Sequence, residues 1–169
     1  MFLLLFSISQ GLLAQQQAWE AAETSIFFYI RNAGLEVEGK FEQVAGQFIT
    51  RQADGLPVLI TGKARLSDIN TGIGLRDSHL QGKDYFHATK FPEIEMQMVE
   101  VNAKTIRFNV RIKGKSKVYE MPYVFKSNGK SGEFEAVFTL NRRDFEVGGR
   151  SLIMADEVKV KMVLKLKAL

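Results

Sequence analysis

Four side chains of acid–base and metal-ligand type lie close together in the middle of the sequence, namely Asp77, His79, Asp84 and His87. Zinc or a general acid–base pair could use such groups. Their spacing does not favour this chemistry, because ligands that share a helix face are three or four residues apart. With two His and no Cys in the chain, a zinc site would also need carboxylates. We therefore predict helix capping and loop hydrogen bonds here, with no metal and no cofactor.

An enzyme is the alternative interpretation of the same residues, with His79 acting together with Asp77 or Asp84. The sequence has no G-x-S-x-G elbow, Walker loop, paired-carboxylate motif or dinucleotide-binding fingerprint to support it. We therefore expect a protein that is not an enzyme.

A second polar cluster, residues 141–151, combines three arginines with two consecutive glycines. Guanidinium groups fit phosphate and other anions because their donors form a rigid fork. Arg142 and Arg143 are therefore candidates for contact with an anionic head group. The alternative is that they pair with neighbouring carboxylates at the surface, while the glycines allow a bend between two strands.

The composition excludes several classes of protein. The chain has 169 residues, 46% of them hydrophobic and 25% charged, which is typical of one folded domain. The absence of Cys excludes disulfides, thiolate nucleophiles and iron–sulfur clusters. The net charge is +4, but charges of both signs are interspersed, which argues against nucleic acid as a partner. Thirteen of the aromatic residues are Phe, which indicates a large apolar interior.

Residues 1–14 form an apolar run without charged side chains, followed by three glutamines. The run is too short to cross a membrane and is typical of a signal peptide. A native N-terminal helix packed on the domain is the alternative. We expect a soluble domain over residues 20–169 that is periplasmic or secreted. Transient contact of this domain with a membrane is compatible with that expectation. The sequence leaves the oligomeric state open, a dimer included.

Alternation of apolar and polar residues is the main signal after residue 20, and it predicts antiparallel strands with one buried face. The alternating runs are residues 26–30, 94–98, 106–113, 133–140 and 158–166, with two or three further strands in 36–50 and 58–66. The count reaches about eight, at which a closed barrel holds one small ligand. Residues 72–90 lack this alternation and predict a short helix and loop that form a lid at one barrel end.

The apolar faces of these strands form either a filled core or the lining of a cavity, since both have the same sequence pattern. A closed sheet has no helical layer to pack against, and its methionines offer adaptable contacts to a flexible apolar guest. We therefore predict a ligand-binding cavity, and a filled barrel is the alternative. The predicted lining comprises Phe28, Ile30, Phe41, Phe86, Phe91, Ile94, Met96, Phe108, Val110, Phe134, Phe138 and Leu140.

Several short motifs follow one another in a specific order and spacing along the chain. They are Ser25–Ile30 with Gly39–Phe41, Ile69–Thr71 with Arg76–Leu80, Asp84–His87 with Lys90–Ile94, Gly114–Lys117, and Asn141–Phe145 with Gly148–Gly149. In these motifs the chain resembles the YceI-like family, the lipocalin-like bacterial proteins that bind polyisoprenoid lipids. Two positions depart from the family, because Thr24 replaces the usual His and Glu146 replaces a common Gly.

The resemblance implies an all-β fold, an eight-stranded antiparallel lipocalin-like β-barrel, often exported to the periplasm, around a long apolar tunnel. It implies binding, sequestration or carriage of a long-chain isoprenoid lipid, either polyprenyl or quinone-like. It also makes the motifs around Asp77 and Asp84 parts of a structural loop that closes the barrel. The alternatives are a ligand-free structural barrel related to stress and the enzyme that uses His79.

Overall fold

The computed structural model describes residues 15–169, so the predicted signal peptide lies outside the described residues. All strand pairings within this part of the chain are antiparallel. The strands are β1 (Gln16–Asn32), β2 (Leu35–Phe41), β3 (Val44–Arg51), β4 (Pro57–Arg65), β5 (Glu93–Val101), β6 (Thr105–Ile112), β7 (Lys115–Ser127), β8 (Ser131–Asn141) and β9 (Glu157–Ala168). The single α-helix among these residues is α1 (Gly74–Leu80).

The sheet closes into a barrel because the long strand β1 pairs with β9 on one edge and with β2 and β3 on the other. β2 and β3 continue the same register. Ile26 of β1 pairs with Phe41 of β2, and Trp19 of β1 pairs with Phe48 of β3. The two pairs are the same number of residues apart on β1 as on the β2–β3 segment, so the register does not change at the interruption. Counted as one interrupted strand, β2 and β3 leave eight strands around the described barrel, which confirms the predicted fold.

A hydroxyl group bridges the interruption between β2 and β3. The Thr24 side chain of β1 donates a hydrogen bond to the Glu42 carbonyl at 3.0 Å and accepts one from the Val44 amide at 3.1 Å. These bonds replace ladder bonds between the end of β2 and the start of β3, where the backbone groups have no partner on β1. Thr24 therefore has a structural role in the barrel wall.

The predicted alternation decides which side chains face the interior. In β6, Phe108 and Val110 are buried, whereas Arg107 and Arg111 lie on the outside. The same alternation places Phe134 of β8 in the core. Successive side chains of a strand point to opposite faces, so the inward set forms the core of a closed sheet.

Aromatic side chains fill one end of the barrel, which we call the closed end. It is defined by the cluster of Trp19, Phe48, Phe125 and Phe134. The Phe48 ring lies 5.2 Å from Phe125 and 5.4 Å from Phe134, and Trp19 meets Phe125 edge to face at 5.5 Å. Tilted and edge-to-face contacts of this kind add to the energy of apolar burial. The closed end is therefore filled by the protein's own side chains.

The opposite end is covered by the predicted lid, and we call it the mouth. α1 and the loop to residue 92 form the lid, which packs Leu80 and Phe86 against Phe41 of β2. A backbone hydrogen bond also joins the lid to the segment between β8 and β9, since the Gly148 amide donates to the Asp84 carbonyl at 2.9 Å. No helix in the described part of the chain is long and apolar enough to cross a membrane.

Replacing Phe134 by Ala should lower the free energy of unfolding by about 3–5 kcal/mol, because it leaves a void in the aromatic cluster. The Phe134 side chain is only 1% exposed. Val137→Ala in the same strand is the matched control, since Val137 is 37% exposed on the outer wall. Its change should stay below about 1 kcal/mol. Chemical denaturation followed by circular dichroism measures both variants, and equal losses would contradict a filled closed end.

Candidate functional site

A cavity of about 430 Å³ occupies the mouth half of the barrel, between the strands and the lid. This volume lies within the range of small-molecule sites in proteins. Its wall is mostly apolar. The strands contribute Phe28, Ile30, Asn32, Val37, Phe41, Ile94, Ile112, Leu140 and Val158. The lid and the connecting segments contribute Thr71, Ile73, Leu75, Arg76, His79, Leu80, Tyr85, Phe86, Arg142, Phe145, Val147 and Met154.

The predicted lining residues divide between the two halves of the barrel. Those that line the mouth cavity are Phe28, Ile30, Phe41, Phe86, Ile94 and Leu140. Met96, Phe108 and Phe134 instead border a void of about 60 Å³ toward the closed end. Val110 and Phe138 are buried in the core. Phe91 lies beside the lid, with its ring 6.0 Å from that of His87.

Several cavity residues were absent from the predicted lining, for two different reasons. Ile112 and Val158 follow the inward alternation of their strands, so the sequence carried a signal for them. Val147 and Met154 lie in the segment between β8 and β9, which has no strand alternation. Only the tertiary structure brings that segment against the cavity.

A glycine sets the position of one cavity side chain. Gly39 of β2 faces Phe28 of β1 across the ladder. The Phe28 ring lies directly over Gly39, where a Cβ atom would overlap it. Glycine therefore permits this ring to lie flat on the wall and leaves the space beyond it open.

Arg142 is a buried structural residue at the edge of the cavity, with 4% of its side chain exposed. Its Nη1 donates to the carbonyls of Val147 and Gly149 at 2.9 and 3.0 Å, and its Nε donates to that of Ala155 at 2.9 Å. Its Nη2 pairs with Asp156 at 2.6 Å. These partners offset the cost of burying the charge and fix the path of the segment between β8 and β9.

The same network requires a glycine. Gly148 has φ +67°, and a Cβ atom there would lie 3.0 Å from Nη1 of Arg142 and 3.2 Å from Tyr85. A side chain at this position would be strained in its backbone and crowded by the arginine. Gly148 therefore allows the segment to pass between Arg142 and the lid.

Arg143 lies in a different environment from its neighbour. It borders a polar basin on the outside of the lid, together with Lys83, Asp84, Lys113 and Glu146. Its Nη1 atom is buried but has no hydrogen-bond partner among the described residues. The basin shares His79 and Tyr85 with the wall of the cavity. Of the two predicted head-group residues, Arg143 is the one that borders this basin, whereas Arg142 borders the cavity.

Two of the acid–base residues of the lid, His79 and Asp84, border the same polar basin, whereas Asp77 does not. The Asp77 carboxylate accepts hydrogen bonds from the amide and the hydroxyl of Thr71, at 2.9 and 2.5 Å. The His79 ring packs edge to face on Tyr85 at 5.5 Å. Asp84 borders the polar basin. The described residues contain no group of three or more His, Cys, Asp or Glu side chains placed to hold a metal ion.

An ionic contact between β7 and the turn after β8 supports the cavity wall. Lys117 pairs with Asp144 and holds the pKa of that carboxyl below its usual value. The Tyr119 hydroxyl donates to the same carboxylate at 3.0 Å, and burial together with this bond raises the pKa of Tyr119 to about 12. The Tyr119 ring packs against Phe145, which lines the cavity, at 6.3 Å. The polar contact therefore positions an aromatic side chain of the wall.

The family model of the YceI-like domain matches residues 18–166. A search of curated proteins found no match.

Solved structures with the same fold include three proteins at low sequence identity. BcnA of Burkholderia cenocepacia aligns with a TM-score of 0.75 at 21% identity, over 84% of this chain and 95% of BcnA. The YCEI protein of Campylobacter jejuni aligns with a TM-score of 0.69 at 20% identity, over 76% of this chain and 83% of that protein. A polyisoprenoid binding domain from Saccharophagus degradans, implicated in plant cell wall breakdown, aligns with a TM-score of 0.67 at 13% identity. The alignment covers 90% of this chain and 98% of that domain. At these identities the alignments show the shared fold.

Arg142→Met should lower the free energy of unfolding by about 3 kcal/mol or more, because buried carbonyls that lose their donor cost about 1–3 kcal/mol each. The control is Arg150→Met, which removes an exposed arginine from the same segment. It should change stability by less than about 0.5 kcal/mol. Denaturant titration of both variants measures the difference. A stable Arg142→Met variant would show that the network does not hold the mouth together.

Proposed function

The chain belongs to the YceI-like family, and on that premise we propose that it binds a long-chain isoprenoid lipid, polyprenyl or quinone-like. The hydrocarbon chain lies in the mouth cavity, and its polar head lies at the mouth. One observation carries the proposal, namely the cavity of about 430 Å³ with a mostly apolar wall at one end of a closed barrel. Apolar burial drives binding, at about 25 cal/mol per Å² of surface removed from water.

The volume of the cavity limits how much of the isoprenoid hydrocarbon it can hold. An engineered cavity of about 150 Å³ holds one benzene molecule. The mouth cavity is about three times larger, which corresponds to about three or four isoprene units. The closed end is filled by aromatic rings. A longer isoprenoid therefore places one end in the cavity and extends the rest through the mouth.

The polar basin supports a position for the head group. Arg143 borders the basin and belongs to a residue type that binds phosphate. Lys83 and Lys113 add positive charge to the basin, which also contains the carboxylates of Asp84 and Glu146. Arg142 already donates to several carbonyls and to Asp156. We therefore assign the head-group contact to Arg143, while Arg142 holds the surrounding backbone.

The proposed location rests on the sequence of residues 1–14, which is typical of a signal peptide. We propose export to the periplasm or secretion, where a protein that shields an isoprenoid from water would carry or sequester it.

Val37→Trp should reduce isoprenoid affinity by at least about tenfold, because the larger ring fills cavity space that the ligand needs. Val37 lines the cavity and is half-buried, so the fold tolerates the change. Val124→Trp is the matched control, since Val124 is 52% exposed on the outer wall. Competition with a fluorescent isoprenoid analogue measures affinity, and thermal unfolding verifies that both variants are folded.

Extraction provides an independent readout of the same variants. The protein is purified without detergent, and its organic extract is analysed by mass spectrometry. A stoichiometric isoprenoid in the wild type and in Val124→Trp, but not in Val37→Trp, would support the proposal. Equal affinity of all three proteins for the analogue would remove the mouth cavity as the binding site.

Affinity should rise with the length of the isoprenoid up to about three or four units and then level off, because further units lie outside the cavity. Titration with geraniol, farnesol, geranylgeraniol and a longer polyprenol tests this series. A steep increase beyond geranylgeraniol would mean that the chain enters the closed end, and the proposed limit would then be wrong.

A further inference from the structure

Exposed aliphatic side chains surround the mouth of the barrel. Of the ten large hydrophobic residues that are exposed in the described part of the chain, half lie at this end. They are Leu35 at 73% exposure, Ile73 at 54%, Leu75 at 84%, Leu152 at 106% and Ile153 at 64%, and we call them the aliphatic rim. The rim is an apolar surface that folding leaves in water.

Three separate segments bring the rim together. Leu35 is the first residue of β2, directly after the β1–β2 turn. A hydrogen bond of 2.8 Å from the Ala33 amide to the Ile153 carbonyl joins this turn to the segment that carries Leu152 and Ile153. Ile73 directly precedes α1 and Leu75 lies in the first turn of α1, and both residues also line the cavity. The rim is therefore continuous with the cavity wall, and an apolar path leads from the interior to the surface.

The other exposed hydrophobic residues differ in type and position. Four are valines on the outer faces of β5, β7 and β8, and the fifth is the C-terminal Leu169. Single hydrophobic residues on a surface are common, whereas a cluster around an opening marks an interaction site. Leu152 and Ile153 are consecutive, and the Ser151 hydroxyl accepts hydrogen bonds from the amides of Ile153 and Met154 at 3.2 and 3.0 Å. These bonds order the tip of the segment that carries the two side chains.

Positive charge accompanies the rim. Arg31 lies at the end of β1, and Arg150 directly precedes the segment with Leu152. Both are exposed, and neither forms an ion pair with any residue between 15 and 169. Glu36 is the cross-strand neighbour of Arg31 and is the acidic group nearest to it in the ladder. Aliphatic side chains beside unpaired arginines are typical of surfaces that bind anionic membranes.

We propose that the aliphatic rim docks on a lipid membrane that contains anionic lipid, with Leu152 and Ile153 inserted among the acyl chains. The mouth then faces the bilayer, and an isoprenoid passes between membrane and cavity without entering water. This passage rests on the proposed function, whereas docking follows from the rim and its charges. Each buried aliphatic side chain is expected to increase membrane affinity by about tenfold, and each arginine by about fivefold.

Tryptophan fluorescence at the rim tests the docking directly. The chain has one native Trp, Trp19, which is buried at the closed end and gives a constant background. Leu152→Trp places a second indole on the rim, and Val124→Trp places it on the outer wall as the matched control. Each protein is mixed with vesicles of equimolar phosphatidylcholine and phosphatidylglycerol. Emission of the Leu152→Trp protein should shift to the blue and be quenched by lipids with brominated acyl chains, while that of the control should not change.

A second pair of variants measures the contribution of the rim to affinity. Leu152→Ser with Ile153→Ser should reduce vesicle binding in flotation by at least tenfold, and Val124→Ser with Val137→Ser should leave it unchanged. Vesicles of phosphatidylcholine alone should bind the wild type more weakly. An unshifted, unquenched Leu152→Trp emission with vesicles would overturn the proposal. A blue shift without vesicles that grows with protein concentration would also overturn it, because a second copy of the chain would then cover the rim.

The two proposals fail in different ways. Val37→Trp blocks the cavity and leaves the rim intact, so it should lose isoprenoid binding and keep vesicle binding. Loss of docking in a protein that still binds isoprenoid in solution would overturn the membrane inference alone. Docking by a wild type that takes up no isoprenoid would overturn the proposed function alone.

Discussion

Closing a sheet into an eight-stranded barrel creates an interior that side chains or a guest must fill, because protein interiors are packed as densely as crystals. This chain meets the requirement differently at its two ends. At the closed end, rings such as Phe48 and Phe134 meet one another and leave a void of only about 60 Å³. At the mouth, a cavity of about 430 Å³ stays open. The closed end thus supplies the packing on which the open end depends.

At the open end, a buried charge supplements the apolar packing of the lid on the barrel. The segment between β8 and β9 and the lid both lack long regular elements, so their backbone groups need other partners. Arg142 supplies donors to Val147, Gly149 and Ala155, and Gly148 fastens the same segment to the lid. A planar guanidinium suits this role because its donors point in several fixed directions. The network keeps the wall of the cavity in place without occupying its space.

Much of the fold follows from the sequence, whereas the position of the cavity does not. Alternation correctly places Phe108 and Phe134 inside the barrel, because side chains of a strand change face at every residue. Alternation does not show whether an inward side chain meets another side chain or open space across the barrel. It therefore cannot distinguish residues that line a cavity from residues of a filled core. Arg142 and Arg143 are adjacent and chemically identical, yet one is buried among carbonyls and the other borders the polar basin. Their difference arises from the turn of the chain after β8, which has no local signature.

The division of the barrel also separates stability from recognition. Substitutions among cavity residues such as Val37 and Val158 alter a wall that faces open space, so they change the fit of a guest more than the packing of the protein. Glu146 illustrates the same freedom at the mouth. It adopts φ +53°, a conformation that favours Gly, and its side chain pairs with Lys115 at 2.7 Å. Glu146 therefore combines a surface ion pair with a strained backbone conformation at the polar basin. Glu146 thus places a charged group at the mouth, whereas the aromatic closed end supplies the packing of the barrel.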